Sequence, residues 1–224
     1  MSTNKTKLIW AENIAIQLFK AVEDRNLITA GKSEQQLNKE VFGLASELFG
    51  IEKHWHKRIV RSGANTLSPY NENPPDLRIQ EDDILFFDFG PIIGDWEADL
   101  GRTYVIGNNS KKQRLKNDVE RVWNETRHWF DDQASLKASD LFQYVVQKAK
   151  DNGWEFGGEI AGHLIGEFPH ERLEPGNYQL YVHPDNHNDM FSPDADGNKR
   201  HWILEIHFVD RQYRIGGFFE QLLT

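Results

Sequence analysis

At 224 residues, with a formal charge of −9, seven Trp and fourteen Phe, the chain can bury one sizeable core but lacks the basic surface a phosphate backbone requires. The absence of cysteine excludes disulfide scaffolds, thiol nucleophiles and thiolate metal sites. Residues 1–7 are polar, with no signal-peptide core, and no apolar run reaches membrane-span length; a soluble, cytoplasmic protein is expected, with neither nucleic acid nor membrane as partner.

Residues 1–7 read as a polar tail ahead of one domain, 8–224. Ile9, Ile14, Ile16, Leu18, Phe19 and Val22 recur at helical spacing between Leu8 and Arg25. Gly31-Lys32-Ser33 interrupts the pattern, and Ser33 with Gln36 has the form of a capping box opening a second helix to about Phe49. His54 and His56 flank Trp55 in what reads as a solvated turn, a surface metal site being the other reading. Lys57 to Arg61 reads as a short strand, and residues 62–75, rich in Gly, Asn, Ser and Pro, as a loop. Strands at Ile84 to Phe89 and Thr103 to Ile106 flank a turn near Ile93-Gly94-Asp95. An amphipathic helix follows at Lys111 to Phe130, then another from Ser139, read as its N-cap, to Lys150, with Asn152-Gly153 as its stop. Tyr178 to His183, Trp202 to Asp210 and Ile215 to Leu223 read as strands. Helices first and strands last predict an α+β domain with an antiparallel sheet.

Four acidic residues fall inside these apolar or glycine-rich runs: Asp88 after Ile84-Leu85-Phe86-Phe87, Asp99 before Leu100-Gly101-Arg102-Thr103, Glu205 in Trp202-Ile203-Leu204-Glu205-Ile206, and Glu220 after Gly217-Phe218-Phe219. His163 lies in a similar setting, Ala161-Gly162-His163-Leu164-Ile165-Gly166. An isolated buried charge is costly, and two carboxylates about 4 Å apart repel by roughly 4 kcal/mol at an effective dielectric near 20. If the four acids converge, two divalent ions would cancel their charge, and two-metal sites commonly catalyse hydrolysis. Oxygen ligands with one imidazole suit Mn(II), Fe(II), Co(II) or Zn(II). Asp88 and Asp99, eleven residues apart around a predicted turn, can face one point from a hairpin, although the turn alone does not set the register.

These residues, taken together, resemble the pita-bread metallopeptidases: methionine aminopeptidase, aminopeptidase P and prolidase. Phe87-Asp88-Phe89-Gly90 matches the family's first aspartate strand, Asp99-Leu100-Gly101-Arg102-Thr103 its second, and Gly162-His163-Leu164-Ile165-Gly166 with His170-Glu171 its histidine motifs. Glu205 and Glu220 fit the closing glutamates. The resemblance implies a curved antiparallel sheet with helices on its outer face and a dinuclear aminopeptidase acting on peptides, including the Xaa-Pro type. It further implies that Asp88 binds one metal, Asp99 and Glu220 bridge both, and His163 with Glu205 holds the second. An acidified water would attack the scissile carbonyl, Glu205 would pass the proton to the leaving amine, and His170 would donate to the carbonyl oxygen.

The chain departs from that pattern in several places. Where these peptidases carry a substrate-contacting loop histidine, residues 68–72 read Ser-Pro-Tyr-Asn-Glu; Tyr70 or Asn71 takes the role, or the role is absent. Ile206-His207-Phe208 follows Glu205 in place of Pro-Gly, the link to Glu220 is short, and the extra N-terminal domain of aminopeptidase P and prolidase has no counterpart. His207 is a candidate site-lining residue, Arg102 a structural partner for a carboxylate, and Asp194-Ala195-Asp196-Gly197 a polar turn. Exposed aromatics could provide a homodimer surface. Two other readings share the fold: a metal-free, creatinase-like C–N hydrolase and a non-catalytic peptide-binding module.

Overall fold

Alternation along the strands divides the sheet into an acidic face and an apolar face. A computed structural model of the protein describes residues 3–170 and 176–224. Its elements run α1 (Asn4–Asp24), α2 (Glu34–Phe49), β1 (Ile59–Ser62), a 3-10 turn (Gly63–Leu67), β2 (Asp83–Phe89), β3 (Ile92–Ile93), β4 (Trp96–Glu97), β5 (Leu100–Ile106), α3 (Ser110–Asp131), α4 (Ala138–Asp151), β6 (Glu155–Phe156), β7 (Leu164–Ile165), β8 (His201–Asp210) and β9 (Ile215–Leu222). The main sheet is antiparallel throughout, in the order β1-β2-β5-β9-β8-β6, with β7 on β8 and a separate β3–β4 hairpin.

Leu85, Phe87 and Phe89 of β2 join the core of α1 and α2, while Leu204, Ile206 and Phe208 of β8, with Phe219 of β9, join the core of α3 and α4. By register these positions lie on the face opposite Asp88, Glu205 and Glu220. Ile59, Phe86 and Phe218 form a small apolar cluster on the acidic side.

Local chemistry explains where elements begin and stop. The N-terminal helix starts at Asn4, capped by Thr3, so it absorbs part of the expected tail. Its buried stripe is Leu8, Ala11, Ala15, Leu18, Phe19 and Val22, whereas Ile9 and Ile16 face solvent; small alanines fit the close packing that the bulkier residues suggested. Ser33 caps α2 by accepting from the Gln36 amide at 3.2 Å, but the Gln36 side chain turns outward to Glu40, so the capping box is one-sided. Lys137, not Ser139, precedes α4, and the Ser139 hydroxyl instead pairs with His187 Nδ1. Residues 178–183 form no strand: they make a single bridge, Tyr181 to His163, and Asn186 Nδ2 donates to the Gln179 and Tyr181 carbonyls. The short link from Glu205 to Glu220 is a hairpin closed at Asp210↔Ile215, with Arg214 left-handed at φ 53°.

One buried carboxylate ties α2 to the sheet edge. Glu34 accepts from the Ser62 amide and hydroxyl, from Asn65 Nδ2 and from the Leu77 amide. Glu34→Ala leaves those buried donors unpaired and should cost about 3 kcal/mol in urea unfolding, against about 1 kcal/mol for the cap change Ser33→Ala. Equal, small losses would show that water replaces the carboxylate without penalty.

Candidate metal centre

Five strand positions line up across the sheet. Ile59 pairs with Asp88, Asp88 with Gly101, Gly101 with Glu220, and Glu220 with Glu205. Cross-strand neighbours on one face have Cβ atoms about 5 Å apart, so this row brings three carboxylates together. Gly101 leaves the gap between them: a Cβ there would meet the Phe218 ring at 2.4 Å and Glu220 Cβ at 2.9 Å. Asp99 enters the cluster from the residue before β5, and it is 3% exposed. His163 arrives on the loop before β7. Gly162 has φ +145° and passes so close to β8 that a Cβ would lie 2.0 Å from the Ile203 carbonyl oxygen.

All five expected ligands line one cavity of about 520 Å³, together with His170, Tyr70, Asn71 and His207. That volume suits a small-molecule or dipeptide-sized ligand. Tyr70 is at the rim, 45% exposed. His207 is buried, and its Nε2 lies 2.8 Å from the Thr66 carbonyl oxygen, so it forms wall rather than a free polar contact. His170 Nδ1 lies 2.6 Å from Glu97 Oε2, and the backbone amide of His170 donates to Oε1 of the same carboxylate. Glu97, 1% exposed in β4, was not singled out in the sequence; acidic residues beside a turn usually face solvent. Glu171 lies outside the described residues.

The structure corrects the reading of residues 54–56. Instead of a solvated turn, His54 packs between Phe42 and Phe89, and burial, helped by Arg58, pushes its pKa down to about 3. His56 enters the centre: its Nε2 lies 3.1 Å from Asp99 Oδ1 and 3.5 Å from Asp88 Oδ1. Trp55 stands edge-on to His56, His163 and His170, with ring centroids 4.4, 5.2 and 5.2 Å away, and its Nε1 donates to the Ala98 carbonyl. The mixed polar and aromatic residues His54-Trp55-His56 look superficial in the sequence, and contacts with segments distant in the chain cover the His56 side chain. Among the described residues Arg102 makes no direct ion pair with a carboxylate, although Glu12, Glu120 and Glu220 lie near enough to act on its charge. It donates to the Gly101 and Glu220 carbonyls and to Gln221, tying β5 to β9 behind the row. Asp194 does form the expected polar turn, accepting from the Asp196 and Asn198 amides.

Electrostatics in the cavity are those of an uncompensated acid cluster. Burial pushes Glu205 up to about 8 and Asp88 up to about 6, and it raises Glu220 well above the carboxylate range, with Asp99 adding to the shift. Asp99 alone moves down: burial opposes its ionisation, but His56 and His163 outweigh burial. Burial disfavours both imidazolium ions, yet the carboxylates lift His56 to about 9 and raise His163 well above its usual value. Glu205 Oε1 and Glu220 Oε2 are buried and have no hydrogen-bond partner among the described residues. Orphaned anionic oxygens beside imidazole nitrogens are the donor set of a divalent metal site, so these residues fit the ions that the sequence implied. The ligand atoms of His56, Asp88 and Asp99 lie within 4.8 Å of one another, as do those of Asp99, His163 and Glu220.

Comparison with known proteins agrees with this geometry. The sequence pattern of metallopeptidase family M24 matches residues 7–192. The chain is 31% identical to an Xaa-Pro dipeptidase of Pyrococcus horikoshii over 158 residues, 69% of this chain and 44% of that protein. It spans less than half the length of the curated relatives it matches. The X-Pro aminopeptidase of Thermotoga maritima superposes with a TM-score of 0.77 at 18% identity, over 99% of this chain and 60% of the other. Methionine aminopeptidase of Rickettsia prowazekii gives 0.71 at 14% identity, over 99% of this chain and 94% of the other. Those likenesses establish the fold, pita-bread, with an open antiparallel sheet backed by helices. The family match ends before Glu205 and Glu220, which strand register pairs with each other in the acidic row. A pattern spanning most of the sequence, on this fold and around this acidic row, makes the chain a member of metallopeptidase family M24.

Proposed function

We propose that the protein is a dinuclear peptidase that releases an N-terminal residue from short peptides, with Xaa-Pro dipeptides among its substrates. The observation that carries this reading is the row of buried carboxylates ending in orphaned Glu205 and Glu220 oxygens, open to a cavity of about 520 Å³. The names of the Pyrococcus relatives support the substrate class. Asp88, Asp99, His163, Glu205 and Glu220 would hold two divalent ions, Mn(II), Co(II), Fe(II) or Zn(II), whose chemistry when bound is to acidify water and polarise a carbonyl.

The chain's own residues do the remaining work. Glu205 Oε1, unpaired and buried, is placed to carry a proton from the attacking water to the leaving amine. Glu97 fixes the His170 ring by accepting from Nδ1–H, which leaves Nε2 for the cavity, where the doubly protonated ring would donate to the developing oxyanion. Ile59, Phe86 and Phe218 give the pocket an apolar wall for a substrate side chain. Tyr70 and Asn71 close its rim, in the role usually taken by a loop histidine.

Asp99→Ala should remove bound metal and hydrolysis of Xaa-Pro and Met-Ala dipeptides together; turnover in the variant would sink the reading. His170→Ala should keep its metal while kcat falls about a hundredfold, the usual loss for an oxyanion donor. Glu97→Gln should lower kcat less and leave metal content unchanged.

Stability should also depend on pH. Folded Glu205 and His56 hold protons up to about 8 and about 9, whereas the unfolded chain releases them near 4.5 and 6.5. A raised folded pKa gives stability that is lost as pH climbs through it. Buried His54 and His207, lowered to about 3 and about 4, contribute only below pH 6.5 and leave the neutral-to-alkaline range flat. The chelator-treated protein should therefore lose urea stability from about pH 6.5 to about pH 9. Saturating Mn(II) under argon should remove that slope, since metal ligands must be deprotonated. A pH-independent midpoint in chelator would contradict the charge assignment.

A further inference from the structure

We infer that His56 is a metal ligand, so that the Asp88 side of the centre carries its own imidazole and each ion is held by one histidine. The inference rests on the dinuclear reading above and adds a residue to it.

The two histidines are presented in the same way. His56 Nδ1 lies 2.8 Å from the carbonyl of Lys57, and His163 Nδ1 lies 2.9 Å from the carbonyl of Leu164. In both rings, donation from Nδ1 to the next residue's carbonyl turns Nε2 toward the acids, the arrangement that readies an imidazole for a metal. Asp99 then divides its oxygens between them: Oδ1 is 3.1 Å from His56 Nε2, and Oδ2 is 3.1 Å from His163 Nε2. Beyond Asp99, His56 reaches Asp88 at 3.5 Å and His163 reaches Glu220 at 3.7 Å. The result is two triads that share one bridging carboxylate.

A lone pair on Nε2 facing two carboxylates is repulsive, so something positive belongs between them: a proton in the metal-free chain or an ion in the loaded one. The ring is held there with little freedom. Its side chain is 7% exposed, it packs against Trp55 and Tyr70, and at Gly90 a Cβ would lie 2.2 Å from His56 Cδ2. The glycine of the first aspartate motif thus makes room for this histidine. An imidazole in place of an all-oxygen shell favours Co(II), Zn(II) or Fe(II) over harder ions on the Asp88 side.

The test uses protein labelled with 15N-histidine and loaded with 113Cd. Two cadmium resonances are expected, one coupled to Nε2 of His56 and the other to Nε2 of His163. In His56→Phe, which keeps a ring against Trp55, one coupling should vanish, and one of two Co(II) binding steps should weaken at least about tenfold. His56→Gln serves as the second variant should the phenylalanine fail to fold. Two bound ions with coupling to His163 alone, and unchanged Co(II) binding in the variant, would overturn the assignment while leaving the dinuclear reading standing. No bound ion in the parent would overturn both.

Discussion

Mutual repulsion among four buried carboxylates is the constraint around which this molecule is arranged. Asp88, Asp99, Glu205 and Glu220 are each held by backbone pairing or by the residue next to a strand, so none can swing into solvent to relieve its neighbours. Each close pair costs a few kcal/mol at protein-like dielectric, and burial adds to that. Without metal, burial and mutual repulsion push Glu205 and Glu220 toward the protonated form, and the carboxylates favour imidazolium at His56 and His163. Two bound divalent ions would answer the acids' charge fully. A site that is strained when empty and neutral when filled couples metal binding to stability.

Holding such a cluster requires a rigid support. The cores behind the sheet, one under α1 and α2 and the other under α3 and α4, pack the opposite side of the same strands that present the acids. Arg102 locks β5 to β9 through backbone carbonyls, and Glu34 ties α2 to the segment that leads to the cavity rim. Glycines at positions 101 and 162 allow approaches that no side chain would permit. Rigidity is thus supplied away from the acids, while Tyr70 and Asn71 line the rim of the cavity.

The aromatic element of the site is less expected. Trp55 separates His56, His163 and His170 edge-on, so a single indole orients three imidazoles whose polar edges point elsewhere. Aromatic edges packed on faces limit ring rotation and keep water from the flanks of the centre. Glu97 plays the corresponding polar role for His170.

Sequence alone determined the elements whose signals are local. Periodicity marked the helices, apolar runs marked the central strands, and a charge embedded in such a run marked Asp88, Asp99, Glu205 and Glu220, because burial of a lone carboxylate needs a reason. Tertiary structure decided what depends on partners distant in the chain. It set the register that puts Asp88, Gly101, Glu220 and Glu205 in one row, which a turn length cannot fix. It also brought His56 and Glu97, which no local pattern marks, against Asp99 and His170 respectively. Residues 178–183 show the same limit: they exchange backbone hydrogen bonds with residues 161–164 around the single Tyr181–His163 bridge, a pairing too short to make the strand that their alternation predicts. Local pattern reports what a segment could bury; only the assembled sheet determines against what.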